Sequence, residues 1–328
     1  MQITRRTVIG GLAAAAAIRP ALAAPTKVTY LFPAPATLPA FIPWQLAMKR
    51  GYYAANKLDV TFRVTHGGAD VAEQVGVGNV DIGGGNAATV IVVRPNGVPI
   101  RNVALIGSHS LFTLVTRKAV DVKSLADLRG KKLGVIGYQD SSYYMLLAVI
   151  AAEGINRSEL TIESVGPAGV TQLMIAKSLD GIMAVPEWSV AIEDAGVPLD
   201  YWPIEKIFPA SAELAQSIVT SDDFIKRRPE VVRGFVHAVL HAVRDCMSDP
   251  ASAAKDYVSF MPEHKGQQAV IERILRRYVT QVYQTTPASA LGKFNPTLLK
   301  VLEDFYLKHK LISSAVPVKD LYTNEFVD

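Results

Sequence analysis

Two acidic side chains, Asp140 and Glu187, stand in this sequence among aromatic neighbours: Tyr138, Tyr143 and Tyr144 around the first, Trp188 directly after the second. Carboxyls that project into one cleft at a suitable separation can act as a general acid–base pair. Carboxyls that edge a closed, poorly screened pocket instead repel a bare anion, so the ligand must bring N–H, O–H or ammonium groups. The aromatic neighbours favour a ring or a flat apolar body. No nucleophile elbow, HExxH, P-loop, GxGxxG or Cys–His pair is present, and no cofactor is expected. His237 and His241 are four apart on a helical stretch, but no Glu follows His237. Both fall on the polar side with Arg233 and Arg244, which reads as a solvated face and not a metal site. The single cysteine, Cys246, forms no intrachain disulfide and reads as a core residue.

From Lys27 onward, strand-like and helix-like segments alternate with short connections, which predicts an α/β fold with mainly parallel strands. Strands are expected at 28–32, 58–64, 80–83, 101–106, 111–116, 133–137, 160–165, 181–185 and 217–220. Helices are expected at 39–50, 68–78, 86–93, 141–152 and 170–176, and almost everything after Phe224 is helical. In such sheets ligands sit beyond the carboxyl ends of the strands, where helix N-termini offer unpaired N–H groups. That logic nominates Pro35 and Thr37 after the first strand, His66 after the second, and Gly85 and Asn86 at the start of the third helix. Gln139, Asp140, Ser141, Ser142 and Tyr143 follow at a helix opening, and Glu187 and Trp188 after a strand end. Plainer readings stand beside these: Ser141 as an N-cap, Gly83–Gly85 as a tight turn, Trp44 and the other aromatics as core, and His66 as a surface-loop residue.

The length of 328 residues suffices for two core-bearing lobes, and 49% hydrophobic with 20% charged residues describes a globular chain. The formal charge of +4 includes Arg5, Arg6 and Arg19, whose removal would leave about +1. No basic stripe suggests nucleic acid. Residues 4–9, Thr-Arg-Arg-Thr-Val-Ile, lead into an Ala-rich apolar run too short to span a bilayer, and then into Ala21-Leu22-Ala23. Residues 1–24 therefore read as a signal peptide cleaved near Ala23/Ala24, with periplasmic export expected. The paired arginines resemble a twin-arginine signal, although Val8 and Ile9 stand where Phe and Leu are usual, and a plain Sec signal is the other reading.

Four local patterns carry a resemblance to a known family. They are Trp44–Tyr53 followed by Leu58-Asp59-Val60; Gly67-Gly68 followed by Gly78–Gly83; Leu125–Val135; and Ser141-Ser142 opening a helix that closes at Glu153-Gly154-Ile155. In this order they resemble the ABC-transporter periplasmic solute-binding proteins of the nitrate/sulfonate/taurine type, a group that includes binders of thiamine pyrimidine precursors. The resemblance implies the type II periplasmic-binding-protein fold, with two α/β lobes, two crossing segments and a helical C-terminus. Lobe one would comprise 25–111 plus 219–328, and lobe two 112–218. It implies a monomer that captures a small organic solute, aromatic, heterocyclic, amino-bearing or sulfonate-type, between the lobes and delivers it to a permease in the inner membrane. An exported enzyme or a ligand-sensing subunit on the same fold are the alternatives.

Overall fold

The computed structural model describes residues 24–207, 214–285 and 287–327. The signal-peptide reading of 1–24 falls almost wholly outside them. Among the described residues, ten strands form two five-stranded sheets. The first has the order β2-β1-β3-β10-β4, from β1 (Thr26–Phe32), β2 (Leu58–Val64), β3 (Ile82–Asn86), β4 (Ile100–Ile106) and β10 (Gln216–Ser221). The second has the order β7-β6-β8-β5-β9, from β5 (Thr113–Arg117), β6 (Lys132–Val135), β7 (Thr161–Ser164), β8 (Gly181–Ala184) and β9 (Leu199–Trp202).

Each sheet has the same internal logic. β1 pairs in parallel with β2 and β3, and β6 pairs in parallel with β7 and β8. The strands that follow the two passages between sheets run the other way: β10 is antiparallel to β3 and β4, and β5 is antiparallel to β8 and β9. A chain that leaves one sheet at the carboxyl end of a parallel strand arrives at the facing end of the other sheet. It can only continue away from the gap, against its new neighbours. β9 is absent from the sequence reading because it is a four-residue, partly exposed edge strand without apolar alternation.

Helices α1 (Ile42–Lys49), α2 (Tyr52–Ala55), α3 (Gly68–Gly76) and α4 (Ala88–Val93) connect the strands of the first sheet. Helices α5 (Ser141–Ala152), α6 (Gly166–Ile175) and α7 (Pro186–Asp194) belong to the second. The remainder is α8 (Asp222–Arg227), α9 (Pro229–Ser248), α10 (Pro250–Phe260), α11 (Gln268–Tyr278), α12 (Pro296–Lys308) and α13 (Val318–Leu321). The apolar stripe of α9, with Val232, Phe235, Val236, Val239, Leu240 and Val243, is wholly buried. Arg50 at the end of α1 ties α9 and α10 together through Asp245 (2.6 Å) and Asp256 (2.9 Å). On the outer face of α9, His237 is half-buried and exposed His241 stacks on Tyr52 with ring centroids 4.0 Å apart.

One local expectation is corrected. The strand expected at 80–83 lies at Ile82–Asn86, so Gly83–Gly85 are not a turn and Gly85 and Asn86 do not open a helix. The reason is close approach: a Cβ at Gly83 would lie 2.2 Å from Val71 of α3, and one at Gly84 would lie 2.2 Å from the Tyr30 hydroxyl. The first passage between sheets begins at Gly107, with φ of +119° and a position where a Cβ would meet the Val282 carbonyl oxygen at 2.0 Å. Gly107→Ala should therefore cost about 3 kcal/mol or more and lower Tm by roughly 5–10 °C. Gly130→Ala has a positive φ but no atom within 4 Å, and should cost only about 1 kcal/mol. Thermal unfolding of the pair checks this, and equal losses would refute the backbone clash.

Candidate functional site

The gap between the two sheets holds a narrow cleft of about 50 Å³ at their facing ends. The first lobe supplies Tyr30, Leu38, Phe41, Trp44, Gly84, Gly85 and Asn86, and the return strand adds Gln216 and Ser217. The second lobe supplies Ile136, Asp140, Ser141, Val185, Glu187 and Trp188. No Lys, Arg, His or Cys occurs among the described residues that line it. An outer chamber shares Pro33, Ala34, Ile136 and Asp140 with it and is walled by Pro35, His66, Tyr138, Gln139 and Ser164.

The residues nominated from sequence separate into three groups. Gly85, Asn86, Asp140, Ser141, Glu187 and Trp188 line the inner cleft. Pro35, His66 and Gln139 line the outer chamber. Thr37, Ser142 and Tyr143 line neither. The Thr37 carbonyl accepts from the Tyr257 hydroxyl at 2.5 Å and lies 2.7 Å from the His264 ring, the Ser142 hydroxyl accepts from the Ile136 N–H at 3.1 Å, and Tyr143 packs edge-on to Tyr138. The cap of α5 is Asp140, not Ser141: its carboxylate accepts from the Ser142 N–H at 2.8 Å. Burial raises the Asp140 pKa against the pull of these helix N–H groups. Asn86 is internally satisfied, accepting from the Ala88 N–H at 2.9 Å and donating to the Leu214 carbonyl.

Gln216, Ser217, Leu111, Phe112 and Tyr30 were not reached from sequence, for a topological reason. A search beyond the carboxyl ends of strands finds only what parallel strands present. Antiparallel β5 and β10 turn their first residues toward the gap, so Phe112 just before β5 and Gln216 at the start of β10 line it. Tyr30 lies within β1, and its phenol reaches up beneath Gly84.

Four polar atoms at this cleft have no protein partner: the Tyr30 hydroxyl, Trp44 Nε1, Gln216 Oε1 and the Ser217 hydroxyl. Their residues are 0%, 1%, 4% and 0% exposed. A buried polar group left without a hydrogen bond costs about 1–3 kcal/mol, so such atoms are rare unless something else serves them.

The lobes touch across the cleft. Near its outer chamber, Thr89 Oγ1 and Ser141 Oγ are 3.5 Å apart. On the other side, α7 of the second lobe meets the C-terminal helices. Glu187, 6% exposed, accepts from the Ala40 N–H at 3.3 Å through Oε1 and from the Tyr278 hydroxyl at 2.5 Å through Oε2. Toward the surface, Arg277 pairs with Glu193 at 3.0 Å and Arg273 with Asp194. α11 passes into a π turn, Val279–Tyr283, which stacks Tyr283 on Tyr278 behind the carboxyl at 5.5 Å.

Residues 38–253 match the family described as NMT1/THI5 like, and the chain belongs to that family. It is 26% identical over 292 residues to the riboflavin-binding protein RibY of Chloroflexus aurantiacus, covering 88% of this chain and 82% of that one. It is 24% identical over 303 residues to a 4-amino-5-hydroxymethyl-2-methylpyrimidine phosphate synthase of Legionella pneumophila, covering 89% of each. In structure it is similar to the alkanesulfonate-binding protein SsuA of Xanthomonas axonopodis pv. citri bound to MOPS, with a TM-score of 0.71 and 17% identity over 92% of this chain and 99% of that one. The fold is thus that of the periplasmic binding proteins.

Burial pushes the Glu187 carboxyl up to about 7, although its bonds to Tyr278 and Ala40 and the nearby His264 pull the other way. An exposed carboxyl ionises near the ordinary value of 4.5. The stability attached to this group is therefore complete below about 4.5 and lost as pH rises to about 7, roughly 3 kcal/mol in all. Asp140, also raised by burial, acts in the same direction. Between pH 5 and pH 8 the wild-type Tm should fall by several degrees. Glu187→Gln should flatten most of that slope and be the more stable protein at pH 8. Parallel slopes for the two proteins would show that Glu187 is ionised throughout.

Proposed function

We propose that this chain is the exported, substrate-binding subunit of an ABC importer, capturing a small flat organic solute in the inter-lobe cleft. The observation that carries the reading is that cleft: both lobes wall it with apolar and aromatic side chains, and hydrogen bonds join the lobes across it. Hinged lobes that meet over a ligand exclude water and strengthen each hydrogen bond inside. The lobe boundaries we adopt are 25–111 plus 219–328 and 112–218. The partner we assign is an inner-membrane permease, and the working form is a monomer. Export by residues 1–24 agrees with this role, and no helix among the described residues is long and apolar enough to cross a membrane.

The chemistry of the cleft favours an uncharged or donor-bearing ring over a bare anion. Two buried carboxyls, Asp140 and Glu187, stand in a wall without any cation among the described residues. A nitrate or sulfonate there would find no cation among these residues, and any ionised fraction of the two carboxyls would repel it. Two relatives are named for nitrogen heterocycles, a flavin and an aminopyrimidine, which supports the same direction. The synthase relative also gives the enzyme alternative a concrete form. Capture is favoured because Asp140 is engaged as a helix cap and Glu187 in bonds across the lobes, and the described residues of the lining include no Lys, His or Cys nucleophile.

A thermal-shift panel of riboflavin, the aminopyrimidine, aromatic acids, propanesulfonate and nitrate tests the reading. At 100 times its Kd a ligand should add about 2.7 kcal/mol of stability. The bound compound should be recovered chemically unchanged after prolonged incubation. Turnover of the ligand would replace capture with catalysis, and stabilisation by nitrate alone would overturn the solute class.

A further inference from the structure

Tyr30, Trp44, Gln216 and Ser217 come from three separate stretches of the chain, on β1, α1 and β10, yet converge on one cleft. Each is at least nine-tenths buried, and each leaves one polar atom without a protein partner. Six further buried polar atoms among the described residues lack a protein partner away from the cleft, the Tyr53 and Tyr306 hydroxyls among them. What sets these four apart is their convergence and the way their neighbours are satisfied. Gln216 uses its amide N–H on the Ala40 carbonyl at 3.1 Å and leaves only Oε1 unused. Asn86, directly opposite Gln216 in the β3–β10 pair, is bonded at both ends. The unused set is also chemically mixed. The indole N–H of Trp44 can only donate, Gln216 Oε1 can only accept, and the Tyr30 and Ser217 hydroxyls can do either.

We infer that these four residues form the hydrogen-bonding subsite of the cleft, and that they select a neutral planar nitrogen heterocycle presenting an acceptor and a donor on one edge, as in a lactam or an amidine. The inference rests on the solute-capture reading and adds to it the functional groups that the ligand must carry. A ligand with acceptors only would serve Trp44 and strand Gln216; one with donors only would do the reverse. A nitrate or sulfonate offers acceptors only, and brings charge to a wall that holds Asp140 and Glu187 but no cation among its described residues. Aromatic side chains, Phe41, Trp44, Phe112 and Trp188, supply the flat apolar walls that a ring needs.

Groups kept for a ligand have a signature opposite to that of groups kept for the fold. Removing a buried hydroxyl that nothing in the protein bonds takes away a desolvation cost, so the ligand-free protein should lose nothing. Tyr30→Phe and Ser217→Ala should each leave the ligand-free Tm within about 1 °C of wild type or raise it. Each should weaken binding of the tightest heterocycle, with riboflavin and the aminopyrimidine as first probes, by about tenfold. Tyr53→Phe deletes another buried, unpartnered hydroxyl that does not line the cleft, and should leave binding unchanged. Riboflavin methylated at N3, which keeps the shape but loses the lactam donor, should bind at least tenfold more weakly than riboflavin if riboflavin is bound.

Isothermal titration and thermal unfolding of the full mature chain read all of these. A Tm loss above about 3 °C in both Tyr30→Phe and Ser217→Ala would mark the hydroxyls as structural and overturn the inference, even if solutes bind. Unchanged affinity in both variants, or tighter binding of propanesulfonate than of any neutral heterocycle, would overturn it too. A protein that binds no member of the panel below 1 mM would instead defeat the capture reading, and this inference with it.

Discussion

Everything at the cleft depends on how the chain passes between the two sheets. A strand that arrives from the other lobe starts at the gap and must run away from it, which makes β5 and β10 antiparallel to their neighbours. The gap is thereby lined by two kinds of backbone: the carboxyl ends of parallel strands, followed by helix N-termini, and the first residues of the crossing strands. The first kind gives Gly85, Asn86, Asp140 and Glu187; the second gives Phe112, Gln216 and Ser217. Since the crossing strands lie inside their sheets and are hydrogen-bonded on both sides, they fix the cleft floor firmly, and the first passage, from Ile106 to Thr113, is short. Gly107 shows how tight the first passage is, packed backbone to backbone against the π turn after α11.

The same π turn links the passage to the contact that holds the lobes together. Tyr283 stacks on Tyr278, and Tyr278 donates to Glu187, which also takes the Ala40 N–H. The ion pairs outside this point, Arg277–Glu193 and Arg273–Asp194, are half-exposed and each contributes at most about 1 kcal/mol. Glu187 is of another order: it is buried, bonded twice across the gap, and has its ionisation opposed by burial. Removing water from that carboxyl is what lobe closure requires, and its two donors offset part of the cost. The C-terminal helices thus form one side of the closure.

Much of this was legible in the sequence. Alternation of Leu58, Val60, Phe62 and Val64 marks the strand at 58–64, because a strand with one face turned inward writes a period of two into the residues. Asp140 and Glu187 were noticed for their aromatic company, and both line the cleft. What escaped notice has physical causes. Gly83–Gly85 read as a turn because glycine serves close approach as readily as it serves a bend, and only Val71 and Tyr30 packed against them decide which. Ser141 and Asp140 are both good caps, and one residue's difference in helix start transfers the role to the carboxylate. Gln216 and Ser217 carry no local signal at all, since their importance comes from strand direction, which depends on residues a hundred positions away.

The balance of polar atoms at the cleft points the same way as its topology. A fold of this size can tolerate several unsatisfied groups only because the burial of its extensive core outweighs them. Each such group nonetheless carries a desolvation cost of about 1–3 kcal/mol unless something bonds it. Four of them in one apolar-walled cleft, alongside two carboxyls that burial drives toward their neutral forms, describe a surface whose hydrogen-bonding capacity exceeds what the protein itself uses. Charge on a ligand would raise the cost of closure at such a surface, whereas matched neutral donors and acceptors would lower it. Closure and recognition are then one event: the lobes meet most favourably when the unused atoms find partners between them.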